Sequence, residues 1–221
     1  MRPLKNSLLV VFDCDGVLVD TELAANTLLS ELIRAEGWDL SPEECHGQFV
    51  GKAMQAVQAE VGAHLGNALP DDWYLMVKCA SIKVLGENTK AIPGVEKQIL
   101  HLRHLGIPYC VASSGQIEKM HATLGCSGLL PLVQDVLFSA DMVGIGKPAP
   151  DLFLHAAREM GHAAEACVVI EDSLPGVQAG MAAGMRVLGY AGDPMTNAAA
   201  LKSAGAHVFD DMSALPGLLL R

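Results

Sequence analysis

The sequence predicts a doubly wound α/β fold, in which helices cover both faces of a parallel sheet, and two patterns lead to this prediction. Continuously apolar runs that suit fully buried strands recur along the chain, at Leu8–Asp13, Ile107–Ala112, Val136–Ser139, Cys167–Glu171 and Arg186–Tyr190. Helical patterns lie between most of them, most clearly at Val95–Leu105, Gln116–Leu124, Asp151–Met160 and Pro175–Ala183. Such strand–helix–strand alternation is typical of an open, Rossmann-like sheet.

One long segment interrupts this alternation. Between Thr21 and Lys90 the sequence offers helix-like stretches and no convincing strand; the stretches are Glu22–Glu36, Glu43–Gly47, Lys52–Val61 and Asp71–Leu85. We therefore expect residues 1–20 and 91–221 to form the α/β core domain. Residues 21–90 are expected to form a helical cap domain, inserted between the first and second strands.

Composition limits the classes of function. The chain has 221 residues and a formal net charge of -10, and 51% of its residues are hydrophobic, which is ample for a core. The acid excess argues against nucleic-acid partners and against binding to anionic membranes, because clustered lysine and arginine drive both. The six cysteines are scattered without a C-x-x-C pair, and no apolar run approaches the length of a membrane span. We expect a cytoplasmic protein with reduced thiols; its oligomeric state is not indicated.

Polar side chains follow the predicted strands at the points where they end. Asp13-Cys14-Asp15-Gly16 follows the first strand, Ser113-Ser114-Gly115 the second and Glu171-Asp172-Ser173 the fourth, while Lys147 stands between Gly146 and Pro148 in a later loop. Ligands of doubly wound sheets bind at the carboxyl ends of the strands. The four clusters are therefore expected to meet at one edge of the sheet.

Each cluster alone has an ordinary explanation, such as an acidic turn or a helix cap. A calcium EF-hand loop would need glycine where Leu18 stands, and a P-loop would need Ser or Thr at Pro148. Together, however, the clusters suit phosphoryl transfer, which needs a carboxylate nucleophile, a second carboxylate as acid and base, oxygen ligands for Mg²⁺ and donors for the phosphate oxygens.

The motifs resemble those of the haloacid dehalogenase-like hydrolase superfamily. The stretch FDCDGVLVDTE, from Phe12 to Glu22, resembles its first motif, which is highly specific. Ser113, Gly146-Lys147-Pro148 and Glu171-Asp172 resemble its second, third and fourth motifs, in that order. The helical insertion resembles the cap of the branch that contains phosphoglycolate phosphatases and β-phosphoglucomutases.

The resemblance implies a role for each motif. Asp13 would attack phosphorus to form an aspartyl phosphate, and Asp15 would act as the acid and then as the base. The Asp13 carboxylate, the Asp15 carbonyl oxygen and Asp172 would hold Mg²⁺, with Glu171 as a ligand through water or as a supporting group.

The remaining implied roles concern binding of the substrate. Ser113 and Lys147 would bind the phosphoryl group, helped by the backbone N–H groups of the Asp15-Gly16 loop and of Ser114. Lys52 is the best candidate in the cap for contact with the rest of the substrate. Thr21 and Ser173 are expected to have hinge and supporting roles.

The sequence also bears on the alternatives to a phosphatase. The aspartate at position 15 favours a phosphate ester over a haloacid or a phosphonate, because the superfamily's enzymes for those substrates lack an acid there. A phosphosugar mutase is the alternative, but its cap histidine and arginine correspond to Ala25 and Met54 here. A receiver-like signalling module would be half as long and have no cap. The sequence therefore predicts a Mg²⁺-dependent phosphatase for a small phosphorylated metabolite, such as a sugar phosphate.

Overall fold

Strands assemble into one large sheet and one small one in the computed structural model, which describes residues 8–49, 52 and 54–220. In chain order the strands are β1 (Leu9–Phe12), β2 (Val19–Asp20), β3 (Lys90–Ala91), β4 (Tyr109–Ser113), β5 (Leu137–Ser139), β6 (Cys167–Glu171), β7 (Arg186–Tyr190) and β8 (His207–Phe209). Six of them form a parallel sheet in the order β5–β4–β1–β6–β7–β8. This arrangement confirms the predicted fold class and places β1 in the middle of the sheet.

The helices of the described residues fall into two groups. Before β3 the chain forms α1 (Glu22–Glu36), α2 (Pro42–Phe49), α3 (Met54–Leu65) and α4 (Trp73–Asn88). After β3 it forms α5 (Val95–Leu105), α6 (Ile117–Cys126), α7 (Leu130–Val133), α8 (Asp151–Glu159), α9 (Leu174–Ala182), α10 (Ala198–Ser203) and α11 (Leu215–Leu219). The eight helices predicted from the sequence are confirmed, with shifted ends in most cases.

The apolar runs of the strands are continuous because both faces of the sheet are covered. Val10 and Phe12 pack into a core with α5 and α6 on one face, and Leu9 and Val11 pack into a second core with α8 and α9 on the other. All residues of β1 are fully buried. Since β1 is also in the middle of the strand order, the residue that follows it lies near the centre of the sheet's carboxyl edge.

The helices α1 to α4 have a small core of their own, which includes Ile33, Phe49, Trp73 and Val77. At the base of this group β2 and β3 pair antiparallel, with Asp20 opposite Lys90. The chain thus leaves the sheet and returns to it at adjacent points. This pairing is consistent with a cap spanning residues 21–90, a division that stays a prediction.

Two expectations about the chain as a whole can be compared with the structure. All six cysteines are free, and four of them are buried. Among the residues described, none of the helices combines the length and the hydropathy that crossing a bilayer requires.

Candidate active site

Asp13 lies at the centre of the candidate site, immediately after β1. Its backbone N–H donates to the carbonyl oxygen of Ile170 at 2.9 Å, which continues the ladder with β6 by one residue. Cys14 points into the apolar core. Because β1 lies between β4 and β6, Asp13 is flanked by the ends of the strands that carry Ser113 and Glu171.

Lys147 joins two of the predicted clusters. Its Nζ atom donates to Oδ1 of Asp13, to Oε1 of Glu171 at 2.6 Å and to the carbonyl oxygen of Ala112 at 3.1 Å. The Lys147 side chain is only 5% exposed. Residues from three separate parts of the chain therefore meet here, as the sequence predicted.

Burial and charge act in opposite directions on this ion pair. Burial raises the pKa of Asp13 to about 7, although the ammonium of Lys147 opposes the shift. Burial alone would lower the pKa of Lys147, but the carboxylates of Asp13 and Glu171 outweigh it and raise that pKa above its ordinary value. Lys147 therefore remains charged, and Asp13 needs further positive charge nearby to be fully ionised at neutral pH.

Asp15 is held through both of its oxygens. Oγ1 of Thr21 donates to Oδ1 at 2.9 Å, and Nζ of Lys119 donates to Oδ2 at 2.8 Å. Burial would raise the pKa of Asp15, but Lys119 and the Thr21 hydroxyl outweigh it, so that pKa lies below its ordinary value. Lys119 in turn has a raised pKa, because the charge of Asp15 overcomes the effect of burial.

Lys119 was missed by the sequence analysis. It lies in the first turn of α6, directly after the Ser113-Ser114-Gly115 loop. A cation in the first turn of a helix is disfavoured by the helix dipole. That position was a usable signal, because such a lysine is expected to have a carboxylate nearby.

Glu171 and Asp172 are adjacent in sequence but differ in their surroundings. Oε2 of Glu171 accepts from both the backbone N–H and the hydroxyl of Ser173, each at 2.9 Å, while Oε1 accepts from Lys147. The Asp172 carboxylate makes no hydrogen bond or ion pair with the described residues. Its pKa is raised well above the ordinary value by burial and by the charges of Glu171, Asp13 and Glu22. Glu171 thus positions Lys147, whereas Asp172 retains open coordination sites.

Gly16 allows the close approach of Asp172. Its φ of 78° lies in the left-handed region, and a Cβ built on it would lie 1.9 Å from Oδ2 of Asp172. The Gly16 N–H donates to the carbonyl oxygen of Val19 at 2.8 Å. Gly16 therefore provides space for Asp172. The predicted role of its N–H in phosphate binding stays a prediction, and in this structure the group is engaged within the loop.

The serines after β4 are placed differently from each other. Ser113 is buried, and its Oγ accepts from the N–H of Gly115 at 3.0 Å, which leaves the hydroxyl proton free to donate. Ser114 is exposed. Their roles toward a phosphoryl group stay predictions that this placement permits.

Lys52 has a partner within the insertion. Its Nζ lies 2.6 Å from Oε2 of Glu60 and 5.6 Å from the centre of the Phe49 ring. The residues on either side of it, 51 and 53, are outside the described part of the chain. Its predicted contact with substrate stays a prediction.

The charges at the site favour a divalent cation. With every group ionised, the carboxylates of Asp13, Asp15, Glu171 and Asp172 and the ammonium groups of Lys119 and Lys147 have a formal net charge of minus two. Among the described residues no three His, Cys, Asp or Glu side chains come together as a metal site. The predicted set differs from such a group, since it uses two carboxylates and a backbone carbonyl. These hard oxygen donors suit Mg²⁺, which usually keeps several waters.

Comparisons with known proteins bear on this arrangement. A family model described as haloacid dehalogenase-like hydrolase matches residues 8–184. The chain is 32% identical over 189 residues to 6-phosphogluconate phosphatase of Escherichia coli K12. The match covers 84% of this chain and 83% of that protein. It is 34% identical over 179 residues to hexitol phosphatase A of the same organism, with 80% of each chain covered.

A solved structure resembles the whole fold. A conserved haloacid dehalogenase-like protein of unknown function from Agrobacterium tumefaciens C58 matches with a TM-score of 0.83 and 33% identity. The match covers 96% of this chain and 97% of that one. The similarity therefore includes both the sheet and the helical insertion.

Proposed function

The chain belongs to the haloacid dehalogenase-like hydrolase family and is a phosphatase, and we propose that it hydrolyses a small sugar phosphate or related monoester through an aspartyl phosphate, with Mg²⁺ as cofactor. One observation carries this proposal. Asp13 is fixed at the centre of the sheet edge against Lys147, with the second carboxylate, Asp15, held apart by its own partners. A nucleophile and an acid/base group with separate environments are what the two half-reactions need.

In the first half-reaction an oxygen of Asp13 attacks phosphorus, and the bond from phosphorus to the leaving oxygen breaks. Asp15 gives its proton to that oxygen, so that the leaving group departs as a neutral alcohol. A bound phosphate dianion brings negative charge next to Asp15. That charge raises the pKa of Asp15 and favours the protonated form that this step requires.

In the second half-reaction water attacks phosphorus of the aspartyl phosphate. Asp15, now ionised, takes the proton of the water, and the carboxylate of Asp13 is released together with inorganic phosphate. Lys147 and the free hydroxyl proton of Ser113 are the chain's donors to the phosphoryl oxygens in both steps. Glu171 holds Lys147 in place throughout.

The surroundings of Asp172 support the proposed cation. Asp172 has no protein partner among the described residues and approaches the loop at Gly16, close to Asp13 and Asp15. Asp13, Asp172 and the Asp15 carbonyl oxygen would hold Mg²⁺. When bound, the cation supplies positive charge that stabilises the ionised nucleophile and the charge that develops on the phosphoryl group.

The cytoplasm is the proposed compartment. All six thiols are free, and the predicted substrates are metabolites rather than polymers. The identities of the relatives support phosphorylated sugars as the class, since one acts on 6-phosphogluconate and another on hexitol phosphates, as their names state.

Phosphate release from p-nitrophenyl phosphate and from a panel of sugar phosphates, with Mg²⁺ or with EDTA, tests the proposal. We expect turnover with Mg²⁺ and loss of turnover with EDTA. Labelling of the protein by one equivalent of phosphate without turnover would contradict a phosphatase. Formation of glucose 6-phosphate from β-glucose 1-phosphate and a bisphosphate primer would instead support the mutase.

A further inference from the structure

Ser139, the last residue of β5, lies beside the candidate site although no motif in the sequence includes it. β4 and β5 are neighbours in the sheet, and their register places Ser139 directly opposite Ser113. The side chain of Ser139 is fully buried. The proposed chemistry does not use its hydroxyl, so the contacts of this group need an explanation of their own.

The hydroxyl of Ser139 makes two hydrogen bonds, and together they fix the direction of its proton. Oγ accepts from the backbone N–H of Asp141 at 3.2 Å, as the cap of a short 3₁₀ turn at Ala140–Met142. Oγ also donates to the carbonyl oxygen of Gly115 at 2.8 Å. A serine hydroxyl has a single proton, and an N–H group can only donate. The proton of Ser139 therefore points at Gly115.

Gly115 connects this constraint to Ser113. The backbone N–H of Gly115 donates to Oγ of Ser113 at 3.0 Å, while its carbonyl oxygen accepts from Ser139. Both polar groups of a residue that has no side chain to restrict it are thus anchored. Because Oγ of Ser113 accepts from Gly115, its own proton is directed elsewhere. The two serines form a series in which each hydroxyl accepts from an N–H group and donates onward.

The end of this series lies beside the proposed acid and base. A Cβ built on Gly115 would lie 3.3 Å from Oγ of Ser113, 3.6 Å from Cδ of Lys119 and 3.7 Å from Oδ2 of Asp15. Ser113 and Asp15 therefore flank the same glycine. In the proposed reaction the phosphoryl group and the leaving oxygen are next to Asp15, so they are also near the Ser113 hydroxyl.

From these contacts we propose that Ser139 is a positioning residue of the phosphatase reaction, which acts through Gly115 to direct the Ser113 proton at the transferring phosphoryl group. Ser139 does not touch the substrate itself. Within the described residues, its hydroxyl provides the one hydrogen bond that the Gly115 carbonyl oxygen accepts. Without it the glycine backbone can rotate, and the Ser113 hydroxyl loses its fixed direction. The inference rests on the proposed function, in which Ser113 donates to the phosphoryl oxygens.

A double-mutant cycle with p-nitrophenyl phosphate and Mg²⁺ tests this role. Ser139→Ala should lower kcat/KM by about tenfold and raise the inhibition constant of inorganic phosphate several-fold, as the loss of one hydrogen bond allows. Ser113→Ala should lower kcat/KM further, because it removes the donor itself. The double variant should match Ser113→Ala within about twofold, since Ser139 acts through a hydroxyl that is no longer present.

The matched control is Ser30→Ala in the insertion. Ser30 is also buried, at 1% exposure, and its Oγ donates to the carbonyl oxygen of Leu40 at 2.6 Å. Its loss should lower the melting temperature, as that of Ser139 does, and leave kcat/KM and the inhibition constant of phosphate unchanged. If Ser139→Ala does not fold, Ser139→Cys takes its place in the cycle, because the thiol is similar in size and a weaker donor. Its loss of activity should be smaller but equally dependent on Ser113.

The outcomes separate this inference from the proposed function. If the loss caused by Ser139→Ala persists in full in the Ser113→Ala background, Ser139 acts by another route, such as the loop that carries Lys147, and the inference is wrong. Wild-type kinetics in Ser139→Ala would also overturn it, and in both cases the phosphatase remains. If the wild type releases no phosphate from any ester in the presence of Mg²⁺, the proposed function fails and the role of Ser139 fails with it.

Discussion

Lys119 donates to Asp15 across a distance of 2.8 Å, from a helix that begins a hundred residues further along the chain. Thr21, at the start of the insertion, occupies the other oxygen of the same carboxylate. The group proposed to move protons is therefore held from the core on one side and from the base of the insertion on the other. Its orientation and its pKa both depend on these two contacts.

The variant Lys119→Met should change the dependence of the reaction on pH. Lys119 lowers the pKa of Asp15, so its removal raises that pKa, and Asp15 then keeps its proton to higher pH. We expect the alkaline limb of the pH profile of kcat/KM for a sugar phosphate to move to higher pH. We also expect kcat to fall by roughly tenfold or more. Lys119→Arg should restore both in part. Profiles that coincide with that of Lys97→Met, a change at an exposed lysine of α5, would contradict the role of Lys119.

The variant Asp13→Asn should remove turnover while the protein stays folded. An amide cannot act as the nucleophile, and we expect kcat to fall by at least about a thousandfold. Acid-quenched labelling with a ³²P-phosphate ester should show phosphate bound to the wild type and none bound to the variant. Asp135→Asn, at an exposed aspartate, is the control and should be labelled normally. Turnover near the wild-type rate in Asp13→Asn would show that another residue is the nucleophile.

The variant Gly16→Ala should weaken binding of the cation. The new methyl group would meet Oδ2 of Asp172 at 1.9 Å, so Asp172 must move away from the loop. We expect the Mg²⁺ concentration for half-maximal activity to rise by about tenfold or more. The control is Gly128→Ala, because Gly128 has nearly the same φ, 79°, with no atom within 4 Å of the added Cβ. It carries the same backbone strain, so it should lower the melting temperature and leave the Mg²⁺ dependence unchanged.

Mg²⁺ should stabilise the protein more at high pH than at low pH. Burial raises the pKa of Asp13 to about 7 in the folded protein, against an ordinary value of 3.8. The stability that Asp13 contributes is therefore present at pH values below 3.8 and is lost as pH rises through about 7. Protons and Mg²⁺ compete for the same carboxylates.

Differential scanning fluorimetry at pH 5.5 and pH 8 measures this competition. We expect Mg²⁺ to raise the melting temperature by several degrees at pH 8 and by much less at pH 5.5. Asp172→Asn should show little effect of Mg²⁺ at either pH. If Mg²⁺ raised the melting temperature of the wild type equally at both pH values, cation binding by these carboxylates would be contradicted.

The strands that could be predicted from the sequence are those whose burial produces a short, continuous apolar run. β1, β6 and β7 read as uninterrupted apolar runs because helices cover both of their faces. β8 was not predicted, since this three-residue strand has an exposed histidine and no such run. β2 and β3 have two residues each, and only their mutual pairing makes them strands.

The same contrast applies to the site. Asp13, Lys147 and Glu171 could be found because they follow strand ends or match a motif. The contact from Lys119 to Asp15 joins residues 104 positions apart, and the contact from His46 to Glu22 joins two helices of the insertion. Neither contact corresponds to a periodic pattern in the sequence. They become visible only once α6 and α2 have been placed in space.

The pairing of β2 with β3 also has a consequence for how this protein could change over time. In topological terms, residues 21–89 are the loop of a single β-hairpin, since Asp20 and Lys90 lie side by side. The length and composition of a hairpin loop can vary while the register of its two strands stays the same. A new set of helices could therefore be exchanged beyond Thr21 without altering the strand ends that carry the nucleophile, as long as Thr21 keeps its contact with Asp15. The choice of substrate and the chemistry of hydrolysis can evolve separately.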